Sequence, residues 1–168
     1  MLIITGAMEG GKTAILAEAS DTLVLRQVAH AAIDLDAFGL AYLPPAASHD
    51  SVMYDNLRSV CKNYAALEVW RFLLARAMED RTQLELCCDA VPATETVVCR
   101  LTASIEAMKQ RVKMLESGVL QREYVARVAS LNVILDRARL EDFTVANENR
   151  SVTEVAVEMR IKAGWISN

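Results

Sequence analysis

The sequence predicts an α/β fold in which a mainly parallel β-sheet is covered by helices on both faces. Short apolar segments alternate with helical segments along the whole chain, and a glycine-rich segment joins the first apolar segment to the first helical one. Such alternation is typical of parallel strands connected by helices. The 168 residues, 53% hydrophobic and 24% charged, are enough for one well-buried domain and short for two.

Five apolar segments are predicted to be β-strands. The first is rich in β-branched residues, and the second ends in two acids. The third also fits a continuation of the preceding helix, but the helix predicted after it requires a strand before it in an alternating fold. The fourth has the apolar run of a buried strand. In chain order the predicted strands are 1–5, 29–36, 69–75, 96–101 and 143–146.

Helix boundaries follow from capping and stop signals. Asp80 is a candidate N-cap with Pro92 just past the end of its helix, and Ser151 is the candidate N-cap of the last helix. Gly118 separates two consecutive helices. Residues 39–50 and 147–150 are predicted to be a loop and a turn. The predicted helices are 13–26, 51–66, 80–91, 104–116, 120–139 and 151–163.

Residues 6–13 fit the pattern G-x-x-x-x-G-K-[ST] of a phosphate-binding loop. Glycines allow successive backbone N–H groups to point inward, and the following helix contributes its unpaired N–H groups and its dipole. A glycine-rich turn with a surface lysine is the alternative, which the agreement of all eight positions and both flanks disfavours. We expect nucleotide phosphates to contact Gly6, Ala7, Met8, Glu9, Gly10, Gly11, Lys12, Thr13 and Ala14.

Two side chains of this loop have separate predicted roles. Lys12 would reach the β- and γ-phosphates as a point charge and is predicted to be catalytic. The Thr13 hydroxyl would hold Mg²⁺.

Asp34 and Asp36 end the second predicted strand, and on an alternating strand they would point the same way. Ligands of parallel sheets bind beyond the carboxyl ends of the strands, so both acids should lie near the phosphate loop. We assign Asp34 to the metal and Asp36 to catalysis, as the base that accepts the acceptor's proton, and both to substrate binding. The alternative is that they cap a helix or form a solvated strand end.

Several basic residues are candidates for binding phosphate or acceptor. Arg111, on the helix after the fourth strand, is predicted to bind nucleotide and to stabilise charge on the transferring group. Arg122 and Arg127 on the next helix are further candidates, and the alternative for all three is a solvated helix face. Arg76, just past the third strand, is predicted to bind acceptor, and His49 is a weaker candidate on that side.

The composition excludes some classes of partner. A net charge of −4 argues against general affinity for nucleic acid or acidic membranes. An early first strand and the lack of a long apolar run predict a protein without signal peptide or membrane span, located in the cytoplasm. The vicinal cysteines 87 and 88 are candidates for a redox pair, but we expect cysteines 61, 87, 88 and 99 to be small, mostly buried thiols.

The chain resembles small P-loop kinases of the nucleoside-monophosphate-kinase type, among them adenylylsulfate, gluconate and chloramphenicol kinases, and tunicamycin-resistance-like ATP-binding proteins. The resemblance rests on the loop 6–13 and on the acid-ended strand 33–36. It also rests on the strand 98–103 followed by Arg111-Val112, and on 143–147 followed by 151–156. Together these segments cover nearly the whole chain, and the first is the most specific.

The resemblance implies a P-loop NTPase fold with a five-stranded parallel sheet in the order 2-3-1-4-5. It also implies ATP as donor, Mg²⁺ as cofactor, a helical lid at about 104–139 in a single domain 1–168, and an acceptor site over strands two and three. Residues 147–150, beginning with Asn147, would lie near the adenine. One departure is that Leu115 stands where the lid pattern R-[LV]-x-x-R has its second arginine, and Arg122 is a candidate replacement.

These features predict an enzyme that moves the γ-phosphoryl group of Mg-ATP to a hydroxyl or phosphate of a small acceptor, as a monomer or homodimer. The alternative is a regulatory or resistance-associated nucleotide-binding protein without kinase activity, which the missing lid arginine favours. A GTPase switch is disfavoured because an N-K-x-D signature is absent. An ATPase motor is disfavoured by the short chain and by the lack of a Walker B run with an arginine finger.

Overall fold

The computed structural model describes residues 1–38, 44, 48–115 and 117–165. Its five strands form one sheet in the order β2-β3-β1-β4-β5, and all neighbouring strands are parallel. Both the predicted fold class and the predicted strand order are therefore confirmed. The strands are β1 (Leu2–Gly6), β2 (Ala31–Asp34), β3 (Phe72–Ala75), β4 (Val97–Thr102) and β5 (Phe143–Ala146).

Helices connect consecutive strands, and most boundaries agree with the capping signals. The Asp80 side chain accepts from the backbone N–H of Gln83, and Ser151 forms a capping box with Glu154. The helices are α1 (Lys12–Leu25), α2 (Leu35–Phe38), α3 (His49–Ala65), α4 (Arg81–Ala90), α5 (Ile105–Leu115), α6 (Gln121–Ala138) and α7 (Val152–Lys162). Most of the predicted loop 39–50 lies outside the described residues.

The second strand is shorter than its apolar pattern predicts. It ends at Asp34, and Asp36 lies in the helical turn α2, so the prediction that both acids alternate on one strand is wrong. The reason is local: Asp34 Oδ1 accepts a hydrogen bond from the backbone N–H of Asp36 at 3.0 Å. A side chain that binds the backbone two residues on favours a turn over a strand.

Alternation along the strands divides the core into two layers. On β1, Ile3 belongs to the cluster packed against α3 and α4, whereas Leu2 and Ile4 belong to the cluster packed against α1 and α7. A parallel sheet buried on both faces explains why these strands are continuously apolar. A third cluster joins the α5–α6 pair to Ala7 of the phosphate loop. The helices predicted to form a lid thus share a core with the loop that they would cover.

The cysteines behave as small core residues. All four are free thiols, and Cys61, Cys87 and Cys99 are buried. Burial raises the pKa of Cys61 to about 11, and that of Cys87 and Cys99 to about 12 each. These three thiols are therefore protonated at neutral pH, which agrees with a packing role.

In the part of the chain that the structure describes, every helix is too short or too polar to cross a bilayer.

The carboxyl ends of the strands bring the predicted site residues to one edge of the sheet. β1 leads into the phosphate loop, β2 ends at Asp34, β3 is followed by Arg76, and β5 is followed by Asn147. This is the edge at which open α/β sheets bind ligands.

Candidate active site

A cleft of about 1060 Å³ lies at this edge, between the phosphate loop and the α5–α6 pair. The loop turns tightly, since the N–H of Gly10 donates to the carbonyl of Ala7 at 3.0 Å. α1 then begins at Lys12, with Gly11 as an N-cap that has no side chain to occupy the first N–H groups. The loop and a 14-residue helix thus direct backbone donors toward one place, which suits a phosphate group.

Gly11 has a backbone that only glycine adopts without strain. Its φ is 89°, and a Cβ built on it would lie 2.2 Å from Nδ2 of Asn147. That amide donates to the carbonyl of Gly10 at 2.7 Å and is buried. Asn147 therefore holds the back of the phosphate loop. It also lines the cleft, and its position near the adenine remains a prediction.

Gly11→Ala should destabilise the protein and weaken nucleotide binding. The left-handed backbone costs an alanine about 1–3 kcal/mol, and the new methyl group would also push Asn147 off Gly10. Gly118→Ala is the matched control, because a Cβ there has no atom within 4 Å. Urea unfolding should separate the two variants, and equal stability would show that the loop conformation imposes no strain.

Lys12 is buried, and its Nζ donates to the carbonyl of Ala7 at 3.2 Å. Desolvation lowers the pKa of Lys12, while the carboxylates of Asp36, Asp34 and Glu9 oppose that shift. The ammonium is therefore poorly compensated by the loop alone. A phosphate group would supply the negative charge that this environment lacks.

Thr13 and Asp34, both predicted to hold the metal, are in contact. The Thr13 hydroxyl donates to Oδ2 of Asp34 at 2.6 Å, although 21 positions separate them in the chain. A hydroxyl and a carboxylate are hard oxygen ligands of the kind Mg²⁺ prefers, so these residues fit that ion. Within the described ranges, no group of three or more His, Cys, Asp or Glu side chains could hold a metal.

Asp36 lines the cleft and is accessible from it. Partial desolvation by the cleft walls raises the pKa of its carboxyl, and the nearby charge of Asp34 raises it further. The positive charges of Lys12 and Arg76 act in the opposite direction. A carboxylate with a raised pKa is a better proton acceptor than an ordinary aspartate. The structure thus places Asp36 in the cleft with Lys12, even though it belongs to α2.

Arg111 reaches from α5 to the phosphate loop. Its Nη1 donates to the carbonyl of Glu9 at 3.2 Å, and its Nη2 donates to the carbonyl of Asn147 at 2.7 Å. Backbone carbonyls carry no net charge, so the guanidinium remains electrostatically available to an anion in the cleft.

Arg76 is held by its own neighbours. Its Nη2 donates to Oδ1 of Asp50 at 2.7 Å, and its guanidinium carbon lies 5.9 Å from the ring centre of Tyr54. It does not belong to the residues that line the cleft, so its predicted contact with acceptor remains a prediction. Its positive charge nevertheless acts on Asp36.

The remaining candidates differ in position. Arg127 lines the cleft, and its Nη2 donates to both carboxylate oxygens of Glu79, at 2.7 and 2.6 Å. Arg122 and His49 do not line the cleft. Arg122 is exposed in the first turn of α6, and His49 is exposed at the start of α3.

Among the charged lining residues, Glu79 was not predicted from the sequence, whereas Arg150 belongs to the segment 147–150 that the resemblance brings near the adenine. Glu79 follows β3 as Asp34 ends β2, so the same rule about strand ends would have found it. Arg150 sits in the turn after β5 and pairs with Glu158 at 2.6 Å. Because this ion pair joins a turn residue to a residue of α7, no local sequence pattern predicts it.

Leu115 and Met114 line the cleft at the end of α5, where they are 69% and 75% exposed. At the position where the lid pattern has its second arginine, the cleft therefore has an apolar side chain.

Comparison with known proteins gives structural matches alone. No family model matches the chain, and no curated protein matches it significantly. The chain is similar to an unliganded sugar kinase from Janibacter sp. HTCC2649, at a TM-score of 0.65 and 15% identity over 96% of this chain and 91% of that one. It is also similar to the tunicamycin resistance protein of Deinococcus radiodurans, at 0.65 and 16% over 98% and 96%.

A third similar structure is the shikimate kinase of Bacteroides thetaiotaomicron, with a TM-score of 0.63 and 14% identity over 98% of each chain. Sequence identities this low show similarity of fold alone. The sheet order, the flanking helices and these matches agree, and the chain has the α/β fold of P-loop kinases.

Proposed function

We propose that the protein is a small-molecule kinase that transfers the γ-phosphoryl group of Mg-ATP to a hydroxyl or phosphate of an acceptor. The observation that carries the proposal is the meeting of three elements in one cleft: the phosphate loop, the Thr13–Asp34 contact and the Asp36 carboxylate. Phosphoryl transfer requires little covalent help from the protein, because positioning and charge stabilisation do most of the work.

Each residue has a role that follows from its position. The loop N–H groups and Lys12 would bind the phosphates, and Arg111 would stabilise charge on the transferring group from the α5 side. Thr13 and Asp34 would hold Mg²⁺, which when bound neutralises charge on phosphate oxygens. The acceptor oxygen forms its bond to the γ-phosphorus as the bond to the β-phosphate oxygen breaks, and Asp36 takes the acceptor's proton.

Residues 104–139 fit a lid within a single domain spanning 1–168. Arg111 contacts the loop from α5, Arg127 contacts Glu79 from α6, and the two helices pack on each other through the third cluster. We propose that this pair covers bound nucleotide and excludes water from the cleft.

A second candidate function is nucleotide binding without transfer, as in a regulatory or resistance-associated protein. The observation that favours it is Leu115 in the cleft, where a second lid arginine would add positive charge. Arg111 would then suffice for binding and fall short of stabilising a transition state.

Acceptor-dependent ADP release distinguishes these two functions. A coupled assay with Mg-ATP and pooled nucleosides, nucleotides, sugars and antibiotics should show stimulation by at least one pool if the protein is a kinase. ATP binding detected by thermal shift, with no stimulation by any pool, would favour the second function. If neither ATP binding nor stimulation of ADP release were detected, the proposed nucleotide site would be rejected.

The pH dependence of turnover should report Asp36. A base must be deprotonated to act, and partial desolvation raises the pKa of this carboxyl. Activity should therefore fall with acidification at a higher pH than for an ordinary aspartate, whose pKa is about 3.9. Below that apparent pKa, log kcat/KM should rise by about one per pH unit. A profile that is flat down to the pH of unfolding would contradict this role.

A further inference from the structure

We infer that the phosphoryl acceptor carries no negative charge and presents an apolar surface beside the hydroxyl that receives the phosphoryl group. This inference rests on the proposed kinase function and names its substrate class. The observation that carries it is that carboxylates already neutralise both arginines on the Asp36 side of the phosphate loop. Glu79 pairs with Arg127, and Asp50 pairs with Arg76.

The acceptor wall is the part of the cleft lining on that side of the loop. Asp36 follows β2, while Ala77 and Glu79 follow β3, and these two strands lie on the same side of β1. Opposite them is one face of α6, whose lining residues are spaced three and four apart. The acceptor wall consists of Asp36, Ala77, Glu79, Tyr124, Arg127 and Leu131.

Every lysine and arginine of the chain lies within the described ranges, because the segments outside them contain neither residue. Four cations line the cleft in the described structure. Lys12 and Arg111 contact the phosphate loop, and Arg150 pairs with Glu158 after β5. Arg127 is thus the cation of the acceptor wall, and its Nη2 is bound by both oxygens of Glu79.

An anionic acceptor would meet two carboxylates, Asp36 and Glu79, in this wall. Glu79 already compensates the charge of Arg127 by binding its Nη2, so an anion that bound this guanidinium would do so beside a carboxylate. Such a site selects against a negatively charged acceptor, because its carboxylates repel the charge and no unpaired cation among the described wall residues attracts it. We therefore assign Glu79 as a specificity-determining residue that withholds Arg127 from anions.

The rest of the acceptor wall favours apolar contact. Ala77, Tyr124 and Leu131 belong to or pack on the cluster that holds α5 and α6 together, and each also lines the cleft. An acceptor with an apolar face would bury that face against them, at about 25 cal/mol for each Å² removed from water. The Asp36 carboxylate would bind the hydroxyl. An uncharged or cationic amphipathic alcohol satisfies both requirements.

Acceptor pools sorted by charge test the inference with ADP release as the readout. One pool is uncharged (D-glucitol, adenosine, chloramphenicol), one is cationic (kanamycin), and one is anionic (D-gluconate, AMP, shikimate). We expect stimulation by the uncharged or cationic pool. Highest kcat/KM with an anionic acceptor would overturn the inference and leave the kinase function standing. ATP binding with no stimulation by any pool would reject the kinase function and the inference with it.

A charge-matched pair of acceptors then tests Glu79 directly. For D-glucitol and D-gluconate, or adenosine and AMP, Glu79→Gln should raise the kcat/KM of the anionic member relative to its uncharged partner by about tenfold or more, because a charge-assisted hydrogen bond to Arg127 becomes available. Asp55→Asn is the control, since it also removes the carboxylate partner of an arginine, Arg58, on an exposed part of α3. An unchanged ratio in a folded Glu79→Gln protein would reject the role of Glu79.

Discussion

Asp36→Asn should lower kcat by about 10²-fold or more while ATP binding remains within a few-fold of the original. The substitution keeps the shape of the side chain and removes its capacity to accept the acceptor's proton. Single-turnover ADP formation and calorimetric titration of ATP would measure the two effects separately. The acidic limb of the pH profile should disappear together with the activity.

The same variant should not lose stability at neutral pH. Partial desolvation in the cleft raises the pKa of Asp36 in the folded protein, so the folded state binds a proton more tightly than the unfolded chain. Ionisation of this group therefore reduces the free energy of unfolding as pH rises through its pKa. Removing the charge should leave the melting temperature at pH 7 unchanged or higher.

That combination separates a catalytic role from a structural one. A carboxylate needed for folding would give a lower melting temperature together with the loss of activity. Asp55→Asn, at an exposed position of α3, is the control and should change neither quantity appreciably. Full activity in Asp36→Asn would remove Asp36 from the mechanism.

Lys12→Met should reduce kcat/KM for ATP by roughly 10²–10³-fold. Methionine keeps most of the buried stem and removes the ammonium, so the loss reports the charge and not the packing. Because desolvation lowers the pKa of Lys12, the folded protein pays for ionising it, and the variant should be no less stable than the original near pH 7. Thermal shift with and without Mg-ATP would measure stability and binding together.

Lys113→Met provides the comparison, because Lys113 is an exposed lysine on α5 and does not line the cleft. It should bind nucleotide normally. If Lys12→Met also bound and turned over nucleotide normally, the pattern in residues 6–13 would be a structural turn, and the proposed function would fail at its first step.

The fold class could be predicted from the sequence because apolar strand segments alternate with helical segments along the chain. The strands of a covered parallel sheet are continuously apolar, and their alternation with helices restricts the topology to few solutions. The order of the strands came from resemblance, not from periodicity. The end of β2 was misjudged, because the apolar pattern continues through Leu35 while the Asp34 side chain turns the backbone.

Which candidate side chains come together could be predicted where a rule ties chain position to place in the fold. Thr13 follows β1 and Asp34 ends β2, and both strands end at the same edge of the sheet. Their proximity was therefore to be expected from the topology. Arg76 is different, because the same rule brings it to that edge and Asp50 of α3 then holds it. The charge that remains available to a ligand depends on a partner 26 positions away.

By itself, the sequence determined the fold class, the phosphate loop and the carboxylates beside it, because each depends on local pattern or on the geometry of strand ends. Only the tertiary structure decided which charges stay free. The pairing of Glu79 with Arg127 spans 48 positions between elements that have no sequence signal for each other. Ion pairs of this kind form when packing brings two side chains together, and here they decide what the acceptor wall can bind.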